Sequence, residues 1–161
     1  MSNPGAGQPL PQGGQMPSQN NSGQVFQNNY LEDFFVYSAS LGNLAPAAQA
    51  NVNLQIQADA IFEWVMATCY GNLHGATPPF TDAALLPVSV QLIDSGSGRQ
   101  LFSGAIPITS FAGTGKQPFI LPVSRFFQAR SNIQITATNF DAASTYDNLF
   151  LNFIGRKLFR N

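Results

Sequence analysis

From Val25 onward the chain runs in short stretches that alternate apolar and polar residues, with turn formers between them. The clearest is Asn51 to Ala60, where Val52, Leu54, Ile56, Ala58 and Ala60 fall at one parity and Asn51, Asn53, Gln55, Gln57 and Asp59 at the other. Successive side chains of an extended strand point to opposite faces, so this pattern predicts a strand with one buried and one wet face. The same logic predicts strands over Phe34 to Ser38, Ile61 to Tyr70, Val88 to Ile93, Gln100 to Phe102, Ile106 to Ile108, Phe119 to Leu121, Asn132 to Thr138 and Leu149 to Ile154. Each is rich in β-branched or aromatic residues. Between Ile93 and Gln100 lies Asp-Ser-Gly-Ser-Gly-Arg, whose glycines suit a tight hairpin, so the flanking strands are expected to pair antiparallel. Val123 to Arg130 reads as one short helical turn or as a bent strand; no long helix is predicted.

Many short strands, Gly- and Pro-rich turns and no helix-length amphipathic segment predict an all-β fold: an antiparallel β-sandwich over residues 25–161. Periodicity alone does not separate a jelly-roll-like sandwich from an immunoglobulin-like one. Residues 1–24 have a different texture, almost entirely Gly, Pro, Gln, Asn and Ser, with no charged and no aromatic side chain. Such a segment buries too little apolar surface to offset about 1–2 kcal/mol of backbone entropy per residue, so a flexible N-terminal arm is expected.

Charge then narrows the picture. Only 9% of residues are Asp, Glu, Lys or Arg, against about 25% in an average soluble protein, and the net charge is -1. A surface this poor in ions sits against other subunits without stranding buried charge, which favours an assembly component. The ions are also segregated: Glu32, Asp33, Asp59, Glu63, Asp82 and Asp94 all precede Arg99, the first basic residue. That order offers an acidic part of one subunit to a basic part of the next, unless the sandwich interleaves the two halves. The balance gives no footprint for nucleic-acid binding. No stretch reaches the roughly 18 continuous apolar residues of a membrane helix, and the N-terminus lacks a secretory signal pattern. With one cysteine, Cys69, there is no intrachain disulfide, and synthesis in a reducing cytoplasm is expected.

Candidate chemistry is sparse. His74 is the sole histidine and lies among loop residues, while Cys69 follows an apolar run that suits a small buried thiol. One Cys and one His are too few for zinc, so no metal and no cofactor are expected. Glu32 and Asp33 point opposite ways on a strand; Asp59 and Glu63 lack a supporting motif, and both pairs read as hydrogen-bonding or surface acids. Gly113-Thr-Gly115-Lys116 lacks the spacing of a phosphate loop. No catalytic residue is assigned, and the chain is read as not an enzyme. Most of the 14 Phe are expected in the core, although exposed aromatics beside Asn, Gln and Asp are also sugar-binding material.

Three segments of the last third carry a resemblance: Gln117-Pro-Phe-Ile-Leu-Pro122, Asn132-Ile-Gln-Ile-Thr-Ala-Thr-Asn139, and Tyr146-Asp-Asn-Leu-Phe-Leu-Asn-Phe-Ile-Gly-Arg-Lys-Leu-Phe159. Their order resembles small virion proteins of tailed bacteriophages, loosely over residues 30–159, with Gly155, Arg156 and Lys157 as its most specific part. The resemblance implies a jelly-roll-like subunit that decorates or cements a capsid, binding the major capsid protein, or that sits with portal or collar proteins. It implies a virion location after assembly in the host cytoplasm. Homodimers or homotrimers are expected of such a sandwich. Leu10, Met16, Val25, Phe26 and Tyr30 of the arm and its root, and Arg156, Lys157 and Arg160 near the end, are the expected partner contacts. The alternative is a carbohydrate-binding or host-recognition sandwich of a collar or tail fibre.

Overall fold

The computed structural model describes residues 30–75 and 86–160. Nine strands follow in chain order: β1 (Tyr30–Leu44), β2 (Gln49–Gln55), β3 (Ile61–Leu73), β4 (Val88–Asp94), β5 (Arg99–Gln100), β6 (Ile106–Pro107), β7 (Phe119–Phe127), β8 (Asn132–Asn139) and β9 (Tyr146–Arg160). A single 3-10 turn over Ile108–Ser110 is the helical element among the described residues.

All strand pairings within the sheets are antiparallel, and those that fold the chain back on itself are nested. β1 pairs with β9, β2 with β8, β3 with β7, and β4 with β5 and β6. The pairs alternate between two sheets, ordered β1-β9-β3-β7 and β2-β8-β4-β5. A long antiparallel ribbon rolled up in this way is a jelly roll, here with its fifth strand split into β5 and β6. The fold class read from sequence is therefore borne out, including its jelly-roll form. The expected hairpin closes at Asp94: its carboxylate accepts from the Gly96 N–H at 3.0 Å and the Ser97 hydroxyl at 2.6 Å, and Gly98 turns with φ +66°.

Inward residues of both sheets build one core. Phe62, Trp64, Phe127 and Phe153 come from the first sheet, with Trp64 and Phe153 in an edge-on contact at 4.9 Å. Val88, Val90, Leu92, Ile133 and Ile135 come from the second. Burying each side chain of this size contributes roughly 1.5–3 kcal/mol relative to leaving it exposed.

Several boundaries differ from the sequence reading: β1, β3, β7 and β9 run longer than expected, and three other segments are shorter. The strand expected to reach Ala60 ends at Gln55, because Ile56 leaves the ladder: its N–H donates to the Ser131 carbonyl and its carbonyl accepts from Arg130. Phe102 lies outside β5, and Ile108 starts the 3-10 turn instead of extending β6. Val123 to Phe127 is strand, which settles the bent-strand alternative for that part of Val123 to Arg130.

Candidate functional site

The nested topology brings the early acids against the late bases inside one chain. In the first sheet Phe34, Arg156, Glu63 and Phe126 stand in one row across all four strands. Arg156 donates from Nε to Glu63 Oε2 at 2.9 Å and pairs with Glu32 on its other side. Hydrogen bonding and charge from Glu63, then Glu32, hold the guanidinium above its ordinary range. One residue on, Lys157 faces inward and is 4% exposed. Its ammonium donates to both Asp59 carboxylate oxygens, at 3.1 and 2.8 Å, and to Gln57, and lies 4.1 Å from the centre of the Phe35 ring. The hydrogen bond from Lys157 pulls the Asp59 carboxyl below its usual range. The acid and base segregation seen in the sequence thus closes within the subunit at these four carboxylate-facing contacts.

Of the expected contact residues, Tyr30 and Arg160 are cross-strand partners at the foot of the first sheet. They line a cavity of 290 Å³ together with Asp59, Ile61 and Gln128. Arg156 lies on the outer face, and Lys157 is enclosed in the interior, its charge met by Asp59. Leu10, Met16, Val25 and Phe26 lie outside the described residues.

Next to the Arg156 row runs a second, wholly apolar one: Val36, Ile154, Met66 and Ile120, one from each strand of the first sheet. All four point away from the core, since their strand neighbours Tyr37, Phe153 and Ala67 are buried. Phe34 is 72% exposed, Ile120 65% and Phe126 56%, so the apolar row is flanked by the exposed rings at the two ends of the Arg156 row, with the Arg156–Glu63 pair between them. A polar row of Ser38, Asn152 and Thr68 bounds it on one side. The outer face of the second sheet is unlike it. There Asn51, Thr136 and Gln91 form one row and Gln49, Thr138 and Ser89 another, with hydrogen bonds from Thr136 to Asn51 at 2.8 Å and from Gln49 to Thr138 at 3.3 Å. One face is an uncharged polar surface suited to water; the other is not.

The sequence reading expected most of the Phe in the core and did not single out this face. The signal was present: Phe34-Phe35-Val36-Tyr37 and Trp64-Val65-Met66-Ala67 do not alternate, and a strand apolar at both parities is one covered on both faces.

The candidate chemistry stays structural. Cys69 is buried, with its thiol 3.6 Å from the Ala112 carbonyl, and burial pushes it up to about 11. His74 Nδ1 lies 2.6 Å from Asp147 Oδ2, away from Cys69. Among the described residues no group of three or more His, Cys, Asp or Glu is placed to hold a metal ion. Comparison with protein-family models gives no match to this chain, and no curated protein matches it in sequence.

Proposed function

We propose that this protein is a structural subunit of a bacteriophage particle, which decorates or cements the capsid by docking the outer face of its first sheet on the major capsid protein. The asymmetry between the two outer faces carries this reading. Apolar side chains exposed side by side on one sheet face lose free energy by leaving water, and a protein face covers them most completely. The resemblance of the β8 and β9 segments to tailed-phage virion proteins supplies the setting. The Pro- and Gln-rich arm provides a second attachment, raising the local concentration of the subunit at the shell. Self-association as a dimer or trimer belongs to the same proposal. A sugar-binding role is less well supported, since Phe34 and Phe126 flank an Arg156 already bonded to two carboxylates.

The test is occupancy on purified particles. Phe34→Ser with Ile120→Ser is expected to leave the domain folded and to lower its copy number on particles at least about tenfold, the equivalent of about 1.4 kcal/mol of lost contact. Unchanged occupancy of that variant, with normal folding, excludes the face as the docking surface. Absence of the protein from particles excludes the reading as a whole.

A further inference from the structure

The sandwich is open on one side, between β7 and the segment Leu101 to Phe111. On β7 the register advances five residues from Ile120 to Arg125 while β3 advances two, from Met66 to Trp64. Leu121 to Ser124 therefore loop away from β3, and a groove of 370 Å³ opens beneath them. Phe102, Phe111, Phe119 and Trp64 line it, Pro122 and Val123 form its rim, and Arg125 stands at its edge. Leu101, Phe102, Ile106 and Leu121 are only partly buried there, so the core is unfinished on this side. The Arg125 guanidinium has no hydrogen-bond or ion-pair partner among the described residues.

We infer that this groove is the seat of the chain's own N-terminal arm, with Pro9-Leu10-Pro11 lying along the aromatic floor. Proline-rich segments dock in aromatic-lined grooves because their extended conformation is already formed and little entropy remains to be lost. The arm offers one such Pro-x-Pro step with an apolar residue between, flanked by Gln8 and Gln12, and it carries no side-chain charge. Arg125, with donors and no acid to meet, suits backbone carbonyls and Gln oxygens of that segment. The volume is near the lower end of ligand clefts, about 300 Å³ and up, which suits a few side chains. Position agrees as well. Tyr30, where the described chain begins, shares the foot cavity with Gln128 and Ala129, and Arg125 lies on β7 three residues before Gln128, which directly follows that strand. The 18 residues between Pro11 and Tyr30 span up to roughly 60 Å when extended, more than that path needs. This inference concerns the purified, unassembled chain: it does not depend on what the first sheet's outer face binds, and the arm leaves this seat when it makes its attachment on the shell.

Disulfide trapping in the full-length protein tests it, because Cys69 is buried and reacts slowly. Leu10→Cys is combined in turn with Val123→Cys on the groove rim, Ile120→Cys on the outer face of the same strand, and Asn53→Cys on the other sheet, all exposed positions. Under mild oxidation the Val123 pair is expected to close about tenfold faster than either other pair; the three pairs share one tether, so the difference reports the seat. Pro9→Gly with Pro11→Gly should remove most of that advantage. A fast-migrating monomer identifies docking within one copy, a covalent dimer docking between copies, and either supports the inference. Equal rates at the three positions, fastest closure at Ile120, or a rate indifferent to both proline changes would overturn it.

Discussion

The Arg156 guanidinium lies 2.6 Å from the Glu63 carboxylate, joining neighbouring strands through residues 93 positions apart in the chain. Glu63 is almost wholly buried, so its charge depends on that partner, whereas Glu32 is in contact with water. Arg156→Ala should therefore cost about 2–3 kcal/mol, less than a fully enclosed pair because the guanidinium is half-exposed. Glu32→Ala should cost under about 1 kcal/mol. Guanidinium unfolding of the two variants measures the difference, and equal losses would show that burial of Glu63 is not what sets it.

Lys157 gives the mirror case. Asp59→Asn leaves an enclosed ammonium with neutral acceptors and an aromatic face but no counter-charge, and should cost about 2 kcal/mol, discounted for the half-exposed carboxylate. Lys157→Met keeps the stem, removes the charge and lets Asp59 hydrate, so it should lie within about 1 kcal/mol of the parent. The pH dependence has a definite sign. The Asp59 carboxyl is depressed in the folded state, so its contribution is present above the unfolded value of about 3.9 and is lost as pH falls through the folded one. Melting curves of parent and Asp59→Asn should converge below about pH 4 and separate above it.

Gly155 opens the Gly-Arg-Lys run. A Cβ there would stand 1.8 Å from the Glu63 carbonyl oxygen and 2.9 Å from its carbon. Backbone cannot swing aside as a side chain does, so Gly155→Ala should destabilise by about 3 kcal/mol or more. Gly104→Ala, where a Cβ meets nothing within 4 Å, should change stability by less than about 0.5 kcal/mol. Thermal melts of both variants give the comparison.

The Cys69 thiol provides a probe of opening. Burial raises it to about 11, so stabilisation from keeping it neutral is full below the unfolded value of about 8.5 and fades as pH rises through about 11. At pH 8 a thiol reagent should modify the native protein at least about 100-fold more slowly than the unfolded chain, reflecting the rarity of open states. Fast modification of native protein would mean that the strand carrying Cys69 opens locally.

Much of the fold was legible because strands announce themselves by parity: Val52 and Leu54 turn inward beside outward Asn51 and Asn53, as their alternation requires. The ends of strands were less legible. Ile56 leaves its ladder for Ser131 and Arg130, partners that only the folded chain brings near. The candidate surface was hidden for a related reason. Phe34 and Ile120 have the composition of core residues, and a single sequence does not separate apolar side chains covered by their own sheet from those left facing outward. The Gly155, Arg156 and Lys157 run was visible as a pattern, and its meaning emerged in three dimensions: close backbone approach, an outward ion triad and an inward ion pair.

The nesting of β1 with β9 also bears on how the molecule is made. During translation at roughly 5–20 residues per second, β1 waits on the order of ten seconds for the strand that completes it. Through that interval its Phe34-Phe35-Val36-Tyr37 edge has no ladder partner, a condition that invites pairing with other nascent chains. Conditions that slow elongation or hold the last residues inside the ribosome should therefore divert this protein into aggregates sooner than changes to its finished surface would.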